Sequence, residues 1–379
     1  MKKSSITVVG LSHLGVVSSI GFASLGFRVI GIDSNETTVS SLKNNNNIFP
    51  EPGIVDLFEK YGKNVEFTTD FSKISDCEII IVGQDTPITE KNEMKLNVIH
   101  SLIEKIIPNL TDGTTIILMS QVPVGFTRSI QKVIHTARPA LSFFIIYWVE
   151  TLVIGDAVSR FLKPERIIVG FENALQSRNA SLDKILGSFN CPILRMRLES
   201  AEMTKSAINL YLATTVTFAN TLATICEEVG ADMTEIIPAL RLDGRIGQYT
   251  YIKPGLGLSG GHLERDIVML TKLVRGHSAD VVLLDSIQKV SASRYKWLVK
   301  KLESEVLAKK SSPTIAIWGL SYKKNTDSTH GAPSLRVIRD FAKRAKLIAY
   351  DPLVKLSSAL GVRMVHDKYE ALKDADGLL

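Results

Sequence analysis

Ile6-Thr7-Val8-Val9-Gly10-Leu11-Ser12-His13-Leu14-Gly15, near the start of the chain, is echoed near its end by Ile315-Ala316-Ile317-Trp318-Gly319-Leu320-Ser321. Each version sets an apolar run before a glycine. A helix-length segment follows, then a second apolar run that ends on an acid, Asp33 in the first copy and Asp351 in the second. Strand, glycine turn, helix and strand closed by Asp is the unit of dinucleotide-binding folds, and its repetition predicts two Rossmann-like lobes. Outward from the first copy, further short apolar runs occur at Val29–Ile32, Ile79–Val82, Thr115–Met119, Phe143–Trp148 and Ile167–Val169, separated by helix-length amphipathic segments. Such alternation implies right-handed crossovers and a largely parallel, doubly wound sheet.

The stretch from Glu199 to Glu228 contains neither Pro nor Gly, and its apolar positions (Ala207, Leu210, Tyr211, Phe218, Leu222, Ile225) recur at helical spacing. Gly230 then supplies a stop signal. The spacing predicts one helix of about 30 residues, roughly 45 Å long at the standard rise, suited to a spine between lobes or to a dimer contact. A second helix-rich stretch, Ser278 to Lys309, leads into Lys309-Lys310-Ser311-Ser312-Pro313, the best linker candidate. The expected fold class is therefore α/β, with two Rossmann-like doubly wound domains joined by a long central helix. The expected domains are residues 1–196, 197–310 and 311–379. The last is short, because the chain stops at Leu379 where a further strand would begin.

Composition narrows the function classes. The 379 residues carry 45 Lys and Arg against 39 Asp and Glu, a net charge of +6. That small, scattered excess favours an anionic ligand weakly and nucleic acid poorly. Hydrophobic residues at 45% and charged ones at 22% exclude a disordered or fibrous chain. No apolar stretch approaches the roughly 20 residues needed to span a bilayer, so no membrane partner is expected. Met1-Lys2-Lys3 before an apolar stretch looks superficially like a secretory signal, but Gly10, His13 and Gly15 interrupt that stretch, and a cytoplasmic strand–loop–helix explains it better. Three cysteines, Cys77, Cys191 and Cys226, form neither a disulfide framework nor a metal site, which fits a reducing compartment.

In the first copy, Gly10-Leu11-Ser12-His13-Leu14-Gly15 lies between strand and helix. Glycines here permit the tight turn and close backbone approach, and the helix N-terminus faces a pyrophosphate. Asp33 at the end of the next strand suits a ribose diol and repels a 2′-phosphate, which favours NAD over NADP. Ser12 stands at the middle glycine and brings a β-carbon into the approach.

Other motifs extend over nearly the whole chain. They include Glu51-Pro52-Gly53, Thr86-Pro87, Ser120-Gln121-Val122-Pro123-Val124-Gly125, and Glu150 with Gly155, Ala157, Pro164, Arg166 and Gly170 behind it. Glu202-x-x-Lys205-x-x-x-Asn209, Arg245-Ile246-Gly247, Pro254-Gly255-x-Gly257 through Gly260 to Asp266, and Gly319-Leu320-x-Tyr322-Lys323 through Thr326-Asp327 and Pro333 follow in order. The chain resembles the UDP-glucose/GDP-mannose dehydrogenase family, whose members oxidise the 6-hydroxymethyl of a nucleotide-linked hexose to a carboxylate with two NAD in succession. The resemblance implies that Lys205 holds a developing alkoxide and that Asn209, four residues on and so on the same helix face, orients a water. Through that water Asp266 accepts the hydroxyl proton. It gives Glu150 base work in a later hydrolytic step. Arg245, Tyr249, Gly257 and Lys323 fall to the substrate, and Thr86, Gln121, Arg265 and His330 to the cofactor. It also implies a nucleotide-sugar substrate and a homodimer through the central helix.

One signature is missing. The family carries a cysteine four residues before the active-site Asp, and here that position is His262, in Gly260-Gly261-His262-Leu263-Glu264-Arg265-Asp266. A thiolate captures an aldehyde as a thiohemiacetal and later leaves; imidazole gives only an unstable carbinolamine. Four readings stand open: His262 as a base that hydrates the aldehyde, a single oxidation, an oxidation and re-reduction that epimerises the sugar, or binding without turnover. Gln121 in place of Thr, His330 in place of Arg and Ser328 in place of Asp are further departures at positions the family turns toward its cofactor.

Overall fold

β-Branched residues pack well on a pleated surface, and a strand buried on both faces reads as an unbroken apolar run. In the computed structural model, which describes residues 5–44, 49–173, 179–275 and 281–379, the runs noted above become strands. The chain divides into two compact units, Met1–Ala207 and Ile208–Leu379.

The first unit holds an eight-stranded sheet: β1 (Ser5–Val9), β2 (Arg28–Ile32), β3 (Val65–Thr68), β4 (Ile79–Val82), β5 (Thr114–Leu118), β6 (Phe143–Trp148), β7 (Ile167–Phe171) and β8 (Ile193–Arg197). Their order is β3-β2-β1-β4-β5-β6-β7-β8, and every pairing is parallel except β6 with β7. Strand alternation divides β4 between two cores. Ile79 and Ile81 pack with the helix His13–Ser24, while Ile80 and Val82 pack on the opposite face with Ile99 and Ile103. Chain order reverses between β1 and β4, and in open α/β sheets the crevice beyond such a switch point receives ligands. β3 and β8 are absent from the strands read in the sequence. Both lie at sheet edges, where Glu66, Arg195 and Arg197 break the apolar run, as edge strands commonly require.

The long helix runs Leu198–Val229, 32 residues, within a residue of expectation at each end. Its first part belongs to the first unit and its remainder to the second. Gly230, at φ +72°, ends it, with the Ala231 N–H donating to the Cys226 carbonyl at 2.9 Å. Cys226 is buried beside Ala223 and Met233. Helices Met233–Leu242, His262–Val274 and Val282–Glu305 follow; residues 278–280 of the expected helical stretch lie outside the described residues.

A parallel four-stranded sheet closes the second unit: β9 (Thr314–Trp318), β10 (Lys346–Tyr350), β11 (Val362–Met364) and β12 (Gly377–Leu378), in the order β11-β10-β9-β12. The last strand lies where the sequence places the start of one: Gly377 and Leu378 pair with Ile315 and Ala316. Among the described residues no helix is long and apolar enough to cross a membrane.

The two copies of the opening pattern share their hydrogen bonds. Gly10 N–H donates to the Ile32 carbonyl at 2.8 Å and Gly319 N–H to that of Tyr350 at 2.9 Å. Leu11 N–H donates to Asp33 Oδ2 and Leu320 N–H to Asp351 Oδ2, each at 2.7 Å. Burial works to raise the Asp351 carboxyl, but its four backbone N–H donors outweigh that and hold it below the usual range.

Candidate active site

Gly10 takes φ +87°, and a β-carbon there would lie 2.7 Å from Gln84 Cβ. A β-carbon on Gly15 would lie 1.8 Å from the Gly10 carbonyl oxygen. Gly15 lets the helix His13–Ser24 press against the end of β1, and Gly10 lets the loop after β4 close over the turn. Leu11, Ser12, His13, Val16, Thr37 and Thr38 line a cavity of about 300 Å³ beside this turn. A cradle that β-carbons would fill, a helix N-terminus and an adjacent cavity fit a dinucleotide. Asp33 uses both oxygens within the fold, Oδ2 on Leu11 and Oδ1 on Asn35 N–H at 2.8 Å. Thr86 and Gln121, 35 residues apart, meet at the ends of β4 and β5, where the buried Thr86 hydroxyl donates to the Gln121 carbonyl at 2.7 Å.

Two contacts at this cradle were not legible in the sequence. Leu14 N–H, in the first helical turn, donates to Asp85 Oδ2 at 3.1 Å. Glu51, 5% exposed, lies 2.8 Å from His13 Nε2 and accepts from the N–H groups of Gly155 and Ala157, each at 2.8 Å. Glu51 therefore ties the glycine-rich turn to the segment that follows Glu150. Only its place in Glu51-Pro52-Gly53 marked it beforehand.

Glu150 follows β6 and Lys205 lies on the long helix. Lys205 Nζ donates to Glu150 Oε2 at 3.1 Å, with the side chains 12% and 15% exposed. Glu150 Oε1 is buried and has no hydrogen-bond partner among the described residues. A bland strand-end residue would be solvated, so this carboxylate is built in. One turn before Lys205, the fully buried Glu202 accepts from Gly125 N–H at 2.5 Å and Thr127 N–H at 2.8 Å. Burial pushes its carboxyl up despite those bonds. Glu202 thus fixes the long helix against the Ser120–Gly125 turn and the helix Phe126–Ala137, a duty no sequence pattern assigned.

In the second unit Asn209, one turn beyond Lys205 on the same helix, donates from Nδ2 to Asp266 Oδ2 at 2.6 Å. Asp266 is 0% exposed, and Arg265 Nε lies 3.4 Å from its other oxygen. Arg265 is itself 4% exposed. His262 is the first residue of the helix His262–Val274 and is exposed, its ring centroid 6.4 Å from that of Tyr322. Burial raises the Tyr322 hydroxyl above its ordinary pKa, and Lys323 Nζ lies 5.5 Å from the same ring. Burial likewise raises the carboxyl of Glu264, with His330 opposing that shift. Gly257, at φ +98°, packs against Ser291, which accepts from Leu258 N–H at 2.9 Å. Arg245, its side chain 90% exposed, pairs with Asp243 at 2.6 Å, and Tyr249 is 87% exposed.

The structure thus brings together Lys205 with Glu150, Asn209 with Asp266 and Arg265, Thr86 with Gln121, and His330 with Glu264. Arg245 and Tyr249 stand out in solvent. Arg265 and His330 belong to the second unit, and the glycine-rich turn to the first.

Comparison with known proteins covers most of the chain in three segments. Residues 4–189 match the NAD binding domain of the UDP-glucose/GDP-mannose dehydrogenase family, residues 199–293 its central domain and residues 316–379 its UDP binding domain. The chain is 31% identical to the UDP-glucose 6-dehydrogenase TuaD of Bacillus subtilis, over 100% of its own length and 83% of that protein. It is 26% identical to a UDP-glucose 6-dehydrogenase of Rhizobium meliloti, over 99% and 88%. A UDP-glucose dehydrogenase structure from Pyrobaculum islandicum superposes with a TM-score of 0.91 at 24% identity, covering 99% of this chain and 89% of that one.

Proposed function

Because the chain belongs to the UDP-glucose/GDP-mannose dehydrogenase family, and is thus an NAD-dependent enzyme of the nucleotide-sugar dehydrogenase class, we propose that it oxidises the hexose of a UDP- or GDP-sugar with His262 at the position of the family's cysteine. The observation that carries this reading is the pair of partly buried polar contacts on neighbouring turns of one helix, Lys205 with Glu150 and Asn209 with Asp266. When bound, NAD supplies the hydride acceptor. Gly10, Ser12, His13, Leu14, Gly15, Asp33, Thr86 and Gln121 are the residues that would hold it.

The chain's own chemistry is proton and charge management. The Lys205 ammonium stabilises negative charge as it develops on the sugar hydroxyl oxygen. Asp266, oriented by the Asn209 amide, takes the proton that oxygen releases, through a water. The alcohol thereby becomes a carbonyl, with no covalent bond to the protein. A second oxidation requires hydration of the aldehyde, and His262, exposed at its helix start, is the base assigned to that water; the hydrate becomes the carboxylate as it gives up the second hydride, so no ester is left to hydrolyse and the catalytic part assigned to Glu150 is to hold the Lys205 ammonium in place. Arg245, Tyr249, Gly257 and Lys323 are assigned to the substrate, and Arg265 and His330 to cofactor phosphates. The three-part division at 196/197 and 310/311 belongs to the same reading.

A homodimer accompanies the proposal. Tyr211, Phe218 and Ile225 recur every seven residues on the long helix and are 61%, 51% and 52% exposed, an apolar seam suited to a second copy.

The decisive experiment measures NADH formed per sugar consumed across a panel of UDP- and GDP-hexoses, with products identified by mass. Two NADH and a carboxylate support full oxidation without the cysteine. One NADH with an aldehyde or ketone limits the enzyme to the first half-reaction. An altered sugar without net NADH makes it an epimerase, and no conversion of any sugar overturns the catalytic reading.

A further inference from the structure

The cradle carries a carboxylate where a phosphate belongs. The helix His13–Ser24 has no acidic residue in its first turn, and its N-cap, Ser12, makes no side-chain capping bond. The bond comes instead from Asp85, 71 residues away in the loop after β4, whose Oδ2 accepts from Leu14 N–H. Ser12 secures that loop in return. Its hydroxyl accepts from Asp85 N–H at 2.7 Å and donates to the Gly83 carbonyl at 3.3 Å. The serine that departs from the glycine pattern is thus the latch that fixes Asp85 over the helix.

N–H groups in the first turn of such a helix are the donors a dinucleotide pyrophosphate uses. A carboxylate on one of them competes for the donor and opposes the phosphate charge. We propose that Asp85 is an internal competitor for the dinucleotide pyrophosphate: it holds the cradle while the cofactor is away, must turn aside when the cofactor enters, and so sets a weak affinity for NAD. The inference rests on the dinucleotide reading of this turn. Asp85 is exposed, so its side chain has room to leave and solvent screens part of its charge.

The test is titration calorimetry on the full chain with NAD, ADP-ribose, inorganic pyrophosphate and adenosine, comparing wild type with Asp85→Asn, Asp85→Ala and Ser12→Gly. Melting curves verify that each variant folds, and an exposed site predicts that the Asn variant does. Removing a capping charge of this kind should tighten NAD, ADP-ribose and pyrophosphate by about three- to ten-fold and leave adenosine, which lacks phosphate, unchanged. Ser12→Gly should give part of the same gain by freeing the Asp85 loop. Unchanged NAD affinity in both Asp85 variants overturns the proposal while leaving the cofactor reading intact, and an equal gain for adenosine overturns it too. Weaker binding in the Asp85 variants overturns it by making Asp85 a cofactor ligand. If neither wild type nor any variant binds NAD, the cofactor reading fails and the proposal falls with it.

Discussion

Replacing Lys205 with Met removes the ammonium 3.1 Å from Glu150 and keeps most of the apolar stem. At that separation and an effective dielectric of about 20, the pair attracts by about 5 kcal/mol, before the several kcal/mol that desolvating each ion costs. Because the side chains remain 12% and 15% exposed, the loss on removing one partner should lie below the full penalty for a stranded buried charge, at about 2–3 kcal/mol. Glu150→Gln should cost about the same by stranding the ammonium. The double variant leaves no buried charge, so its loss should fall about 2 kcal/mol short of the sum. Urea unfolding of the four proteins gives this coupling directly. Additivity within about 0.5 kcal/mol would show that the contact is not an energetic pair. Turnover supplies an independent reading: Lys205→Met should lower kcat by roughly a hundred- to a thousand-fold with NAD affinity unchanged. Turnover within a few-fold of wild type would refute the alkoxide-holding role.

Glu202→Gln exchanges one of two acceptor oxygens for an amide and should destabilise by about 2 kcal/mol; Glu202→Ala, which strands both N–H groups and opens a cavity, should cost about 3–4 kcal/mol in the same assay. No loss in the Ala variant would mean that Gly125 and Thr127 find other acceptors. Phe218→Asp places a charge in the exposed seam of the long helix and should convert a dimer to a monomer by light scattering; an unchanged mass would move the interface elsewhere. Glu264 bears on pH. Its folded carboxyl is raised above 4.5 by burial, so its contribution is fully present below that value and is lost as pH rises through the folded pKa. Wild type should therefore lose melting temperature relative to Glu264→Gln as pH rises above 4.5, and a flat difference would contradict the assignment.

How much of this was legible depended on how far apart in sequence the interacting residues lie. Central strands such as Ile79–Val82 announce themselves because both faces are buried and every residue is apolar. The edge strands β3 and β8 do not, because solvent at the edge admits Glu66 and Arg195. The long helix was readable to within a residue, since propensity, spacing and the Gly230 stop agree. Within the site, the Lys205–Asn209 spacing was visible because it is local. The clasp of Glu51 on Gly155 spans 104 residues, and Asp85 reaches Leu14 across 71, distances at which no periodicity operates. Asp33 was legible as a position but not fully as a duty.

That duty is the more telling for being performed twice. Asp33 and Asp351 make the same bond to the second residue of their turns, yet only the first turn opens directly into a helix, at His13; in the second copy the next helix starts at Pro333. The acid is thus a rivet of the βα corner before it is a reader of ribose. Anyone retargeting this enzyme toward a phosphorylated dinucleotide would exchange Asp33 first, and would loosen the corner with the same stroke. Changes that keep an acceptor for Leu11 N–H, with selectivity moved to Asn35, Thr37 or Thr38 nearby, offer a route that leaves the rivet in place.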